Sequence, residues 1–195
     1  MLFFCKTDGS DAFLAEAYAQ ATPQRRIKAL RLPTRRARAN SLVAELLAKY
    51  ALRQYGLPQE DFYFDRKGAP CVRQDAAFLS LSHSGEYVAC AVSANRIGVD
   101  IQKVKPVSPR VIKRVCSREE ADALDPENLP EAFTRVWSLK EAWRKANPEA
   151  SAADMFKSAF ILLPDGSISG PPGFDYTLSD ELEGYALAVC ERRQR

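Results

Sequence analysis

The stretch Trp137-Ser138-Leu139-Lys140-Glu141-Ala142-Trp143-Arg144-Lys145-Ala146 holds the residue types of acid–base chemistry and of anion stabilisation. Read as a helix, it places Glu141 one turn past Trp137 and Lys145 one turn past Glu141, and residues four apart share a face. One face then carries an aromatic ring, a carboxylate and an ammonium in a row, with Lys140 beside them. The same Glu-to-Lys spacing on a solvated surface helix is an ion pair worth about 0.2–0.5 kcal/mol, and the helix alone leaves both readings open. Upstream, Ile97-Gly98-Val99-Asp100-Ile101-Gln102 reads as a strand. Alternation puts Val99 and Ile101 on one face and Asp100 with Gln102 on the other. A carboxylate on that face is costly unless a cation or hydrogen-bond donors compensate it, or unless an edge position lets it meet water. His83, between Ser82 and Ser84, is the sole histidine. Adjacent residues cannot form a nucleophile–base pair, and no nucleophile elbow surrounds them, so a serine-hydrolase reading is set aside.

The order G-V-D-I and then, some tens of residues on, W-x-x-K-E-A-x-x-K-A resembles the 4′-phosphopantetheinyl transferases of the surfactin-synthetase-activating type. The second motif matches at every specified position from Trp137 to Ala146, and order, spacing and length fit over nearly the whole chain. The resemblance implies an α+β fold of two similar halves related by pseudo-twofold symmetry, residues 1–104 and 105–195, with the active site at their interface. It implies attack of a carrier-protein serine on the β-phosphate of coenzyme A, giving the holo carrier and adenosine 3′,5′-bisphosphate. Asp100 and Glu141, with Gln102, would hold Mg2+. Glu141, or a water it orients, would accept the serine proton, and Lys145 would stabilise or protonate the leaving group. Lys140 and Trp137 would orient the helix and contact phosphate or packing. Arg25, Lys28 and Ser41 fall on the positions that meet the 3′-phosphate of coenzyme A, as do Ser82 and His83, and Gly68 with Pro70 falls on a turn near the adenine and phosphate. A glutamate at the Glu120 position has also been linked to catalysis in the family. The chain departs from the pattern twice. Gln102 stands where glutamate is frequent, which keeps an oxygen ligand but removes a charge. Gly68-Ala69-Pro70 lacks the usual turn lysine, with Lys67 next door.

Composition sets bounds. Of 195 residues, 46% are hydrophobic and 27% charged, enough for a core of one domain or two small ones. The net charge of +3 does not by itself argue for nucleic acid. No long apolar run predicts a membrane span, and the apolar opening Leu2-Phe3-Phe4 is too short for a signal peptide. Five scattered cysteines with no C-x-x-C, and one histidine, argue for reduced thiols in a cytoplasmic protein and against a structural zinc site. A metal here would be a hard cation bound by oxygen.

The elements that must position these residues follow from pattern. Leu2–Lys6 predicts a strand, and Asp11 to Gln20 a helix capped at Ser10 or Asp11. Thr22-Pro23 is a cap followed by proline at the first helical position, and Leu32-Pro33-Thr34 leads into a long helix reaching about Tyr55, stopped by Gly56. Between Glu16 and Glu45 there is no acid but seven basic residues. This stretch is read as a solvated face, as a nucleic-acid patch that lacks stacking aromatics, or as a dock for small-ligand phosphates. Phe62 to Phe64 is a short strand, Asp65 to Pro70 a turn, and Phe78 onward a strand ending in a Ser-His-Ser turn. Tyr87 to Ser93 and Ile97 to Ile101 read as a hairpin across Ala94-Asn95-Arg96. Lys103 to Pro109 connects the halves, Val111 to Val115 is helical, and Ser117 with Glu120 forms a capping box. Leu129 to Ala146 is the central helix, ended by Asn147-Pro148. Strands follow at Ala159 to Leu163, Tyr176 to Leu178 and Tyr185 to Cys190. Leu178-Ser179 followed by Gly184-Tyr185 echoes Leu81-Ser82 followed by Gly85 and Tyr87.

The partners implied are coenzyme A and an acyl, peptidyl or polyketide carrier protein, met by a monomer, with no nucleic acid and no membrane. A non-catalytic protein that binds coenzyme A or carriers is the alternative that Gln102 and the missing turn lysine keep open.

Overall fold

The computed structural model describes residues 1–194 and divides into two compact α+β units, Met1–Ala94 and the residues from Asn95 onward. The first unit runs β1 (Leu2–Lys6), α1 (Asp11–Gln20), α2 (Pro23–Leu30), α3 (Arg35–Gln54), β2 (Phe62–Phe64), β3 (Pro70–Val72), β4 (Phe78–Ser84) and β5 (Tyr87–Ser93). The three helix starts are set by hydroxyl caps. Ser10, Thr22 and Thr34 accept from the amides of Phe13, Arg25 and Ala37. Gly56, at φ +89°, terminates α3 in a conformation that disfavours other residues. An antiparallel sheet of order β1-β5-β4 packs on α3. Val88, Cys90 and Val92, alternate residues of β5, meet Val43, Leu47, Ala48, Ala51 and Leu52 of α3.

The second unit runs β6 (Ile97–Lys103), α4 (Pro109–Val115), α5 (Arg118–Ala123), α6 (Leu129–Ala146), α7 (Ala152–Lys157), β7 (Ile161–Leu162), β8 (Ile168–Ser169), β9 (Phe174–Ser179) and β10 (Tyr185–Arg192). Its sheet has the order β6-β10-β9. Leu139, Ala142, Trp143 and Ala146 of α6 pack with Ala188, Cys190, Phe160 and Phe174. In both units the first strand is an edge, the last is central, and the long helix comes between the first strand and the hairpin. The registers repeat too: Lys6 faces Tyr87 as Lys103 faces Tyr185, and Ser82 faces Ala89 as Ser179 faces Leu187. The sequence echo is therefore the two central hairpins, β4–β5 and β9–β10.

Three expectations are corrected. The division falls after Ala94, not at 104. Its cause is the second correction: β6 does not fold back as a hairpin partner of β5 but pairs antiparallel with β10, from Ile97 facing Glu191 to Lys103 facing Tyr185. Third, Ser82-His83-Ser84 is strand, with His83 opposite Val88 and Ser84 opposite Tyr87, and the turn is Gly85-Glu86. The short elements α7, β3 and β8 were not expected. Among the described residues no helix is long and apolar enough to cross a membrane.

Candidate functional site

In the second unit the site begins with a glycine. A methyl group at Gly98 would lie 1.9 Å from the Ala142 carbonyl oxygen and 2.7 Å from the Ala146 nitrogen. Helix α6 therefore lies backbone-close on β6, through Gly98, Ala142 and Ala146. Glu141 and Lys145, each one residue before those alanines, follow the border of this contact. The Lys145 ammonium donates to Asp100 Oδ1 at 2.7 Å and to the Val99 carbonyl at 2.8 Å. Asp100 is 2% exposed, and its second oxygen accepts from Gln102 Nε2 at 3.0 Å, as the shared strand face requires. Glu141, with 16% of its side chain exposed, accepts from Arg144 at 3.0 Å. Both Arg144 and Lys145 lie in the last turn of α6, where cations suit the helix dipole.

Lys140 faces the other way. It is fully buried, with its ammonium 2.9 Å from Glu120 Oε1 and donating to the carbonyls of Met155 and Ser158. An ammonium has three donors, and all three are taken. The phosphate contact expected of Lys140 therefore has no donor left, and its place is structural. Glu120 is equally occupied. Its Oε1 also accepts from the Phe160 amide at 2.8 Å, and its Oε2 closes the capping box on the Ser117 amide at 2.6 Å.

Asp100, Gln102 and Glu141 offer oxygen donors that suit a hard cation. Among the described residues no group of three or more His, Cys, Asp or Glu side chains could hold a metal ion. A cation here would complete its shell from phosphate and water, which is how magnesium is usually bound.

A second constellation lies in the first unit, around a cavity of about 610 Å³. Arg25, Lys28, Gly68 and Lys67 line it, together with Thr22, Glu45, Lys49 and Phe64. Arg25 is 5% exposed. Its guanidinium lies over the Phe64 ring, 3.5 Å from the centroid, and Nη1 donates to Ser41 at 3.2 Å. Nε is 3.6 Å from Glu45, and Nη2 is buried without a hydrogen-bond partner. Burial, followed by repulsion from Arg25, pushes the Lys28 ammonium below its ordinary pKa. The turn is tied by Asp65, whose Oδ1 accepts from the amides of Lys67 and Ala69. Gly68, at φ +85°, brings it close to Lys28, for a methyl there would lie 3.5 Å from Nζ. Pro70 pairs with Phe64 across β2–β3. Lys67, next to the turn position where the family's lysine is missing, lines the cavity.

The structure thus brings Arg25, Lys28 and Gly68 to one cavity, with Ser41 behind it as a partner of Arg25 and Pro70 outside the lining, paired with Phe64. It brings Asp100, Gln102 and Lys145 to one contact, with Glu141 one turn before Lys145. Ser82 and His83 are successive residues of β4, so their side chains point to opposite faces, the first buried and the second exposed. Sequence reasoning missed Glu45 and Phe64. The signal for Glu45 was a lone acid on an apolar helix face, ending the acid-free stretch, four residues after Ser41 and four before Lys49.

Residues 96–190 match the family model of the 4′-phosphopantetheinyl transferase superfamily. The chain is 32% identical over 182 residues to the 4′-phosphopantetheinyl transferase Sfp of Bacillus subtilis (strain 168), covering 87% of this chain and 81% of that one. It is 31% identical over 166 residues to the 4′-phosphopantetheinyl transferase psf-1 of Bacillus pumilus, covering 78% and 71%. Enterobactin synthase component D of Salmonella typhi is 28% identical over 136 residues, covering 68% of this chain and 57% of its own.

Proposed function

The chain belongs to the 4′-phosphopantetheinyl transferases of the Sfp type, and we propose that its two constellations divide the work of that reaction. The enzyme transfers the 4′-phosphopantetheine arm of coenzyme A to a serine of an apo carrier protein. The serine oxygen bonds to the β-phosphorus, the bond to the bridging oxygen breaks, and adenosine 3′,5′-bisphosphate leaves. A serine hydroxyl is a weak nucleophile and needs a base. Glu141 fits that role, directly or through a water, because it lies one turn before Lys145, keeps part of its side chain exposed and is paired with a surface residue, Arg144. Lys145, 25% exposed at the Asp100 contact, fits the leaving phosphate, whose growing charge an ammonium stabilises. Asp100, Glu141 and Gln102 would hold magnesium, which when bound neutralises charge on the pyrophosphate. Gln102 brings oxygen but no charge, so weaker metal affinity is expected than with glutamate at that place.

In the first unit, Arg25, Lys28 and Lys67 around one cavity suit the anionic nucleotide end of coenzyme A. The unpartnered Nη2 of Arg25 is a donor that an anion would satisfy. Free cysteines fit a reducing, cytoplasmic setting, and both constellations belong to one chain, which fits a monomer.

The observation that carries this reading is the contact between Lys145 and Asp100. Two motifs far apart in the chain meet there. It is tested by intact-mass spectrometry of an apo-acyl carrier protein incubated with coenzyme A, magnesium and the enzyme. The carrier gains one phosphopantetheine arm, and Glu141→Ala lowers the rate by about 10²–10⁴-fold, the usual weight of a general base. Measurable coenzyme A binding with no modification of any acyl, peptidyl or polyketide carrier would move the assignment to non-catalytic binding.

A further inference from the structure

The cavity proposed to take the nucleotide phosphates has a carboxylate in its wall, and its sign is wrong for an anion. Glu45 is 2% exposed on α3. A buried carboxylate must be compensated, and this one is compensated by groups of the cavity itself. Its oxygens accept from the Thr22 amide at 3.2 Å, the Thr22 hydroxyl at 2.9 Å and the Lys49 ammonium at 2.6 Å, and Arg25 Nε lies 3.6 Å away. Thr22 caps α2, the helix that bears Arg25 and Lys28. Glu45 therefore holds both the start of that helix and the guanidinium on it. With Nε facing Glu45, Nη1 on Ser41 and the ring plane on Phe64, Nη2 is the one part of the guanidinium left without a partner.

We propose that Glu45 is the positioning residue of this anion site. It acts through Arg25, setting the guanidinium so that its remaining donors serve the 3′-phosphate of coenzyme A. The inference rests on the assignment of the cavity to that phosphate. A carboxylate suits this task better than a neutral side chain, because only a charge draws in Arg25 and Lys49 together. The cavity stays cationic overall, since Lys28, Arg66 and Lys67 also line it against Asp65.

The test compares kcat/KM for coenzyme A with that for 3′-dephospho-coenzyme A at saturating carrier, in native enzyme, Glu45→Gln, Arg25→Met and the double variant. The ratio is measured on one preparation, so any loss of folded protein cancels from it. Glutamine keeps the shape and one carbonyl acceptor for Thr22 but not the charge. Glu45→Gln should lower the ratio by about tenfold, through KM for coenzyme A with kcat retained. Arg25→Met should lower it by as much or more, and the double variant no further than Arg25→Met alone, since coupled residues are not additive. A native ratio in Glu45→Gln, or an equal further drop when it is added to Arg25→Met, would overturn the positioning role while leaving the cavity assignment standing. A native ratio in Arg25→Met would overturn the cavity assignment, and the role of Glu45 with it.

Discussion

Two lysines five residues apart on α6 have opposite surroundings, and the motif that contains both does not distinguish them. Lys145 reaches the edge of its helix and meets Asp100, whereas Lys140 is sealed in with Glu120. A sealed ion pair is weak evidence for net stability, because desolvating both charges offsets their attraction. Breaking it is another matter. Lys140→Met would leave the Glu120 carboxylate buried without its cation, and should lower the unfolding free energy by about 3–5 kcal/mol. Urea unfolding measures this, with Glu141→Ala as the contrast. That substitution removes an ion pair whose arginine end is exposed, and should change stability by about 1 kcal/mol or less. A Lys140→Met variant as stable as the native enzyme would mean that Glu120 is satisfied by Ser117 and Phe160 alone.

The approach of α6 to β6 decides where Lys145 ends. Gly98 permits that approach, and any side chain there would meet helix backbone, which cannot rotate aside. Gly98→Ala should therefore push α6 from the sheet, at a cost of about 1–3 kcal/mol or more. It should also lower kcat, because the Lys145–Asp100 contact is made across the same junction. Thermal unfolding and carrier modification measured together check this. Loss of stability with native turnover would show that the chemistry tolerates a shifted helix. Gly98 carried no reading of its own in the sequence, and Asp100, Gln102, Glu141 and Lys145 were singled out by the pairing of the two motifs, since spacing alone left a surface ion pair and an edge aspartate equally open. Pairing was less legible. The turn residues Ala94-Asn95-Arg96 suggested a local hairpin, yet the partner of β6 is β10, some ninety residues on, and no local signal encodes that. Ser82-His83-Ser84 has turn-forming composition, but pairing with Tyr87 and Val88 extended it as strand. Glu45, Arg25 and Phe64 meet from two helices and a strand, so their grouping was visible only after folding.

The two units share a strand order and a register, and they differ at the position of the proposed metal aspartate. The position that Asp100 holds in the second sheet, three residues before the lysine facing a tyrosine, is held by Phe3 in the first. Phe3 packs on the first unit's core and stacks edge-on with Tyr50. One copy of the plan thus keeps an apolar residue where the other carries the carboxylate, and the charges of the first unit's cavity stand on α2, on α3 and in the β2–β3 turn. Each central strand also carries a buried cysteine, Cys90 on β5 and Cys190 on β10, so each core has its own reporter. Burial pushes the Cys90 thiol up to about 12, and burial also raises Cys190. Cys116 is raised to about 11, by burial and then by Glu120. A thiol that is hard to ionise and out of reach is a poor nucleophile. Native protein treated with a thiol reagent should therefore label at Cys5 and Cys71, which are only partly buried, and label Cys90, Cys116 and Cys190 only when denaturant opens their cores. Peptide mapping of the labelled protein reads this site by site. Labelling of Cys90 or Cys190 at the rate of Cys5 without denaturant would mean that the corresponding sheet opens far more readily than its packing on α3 or α6 implies.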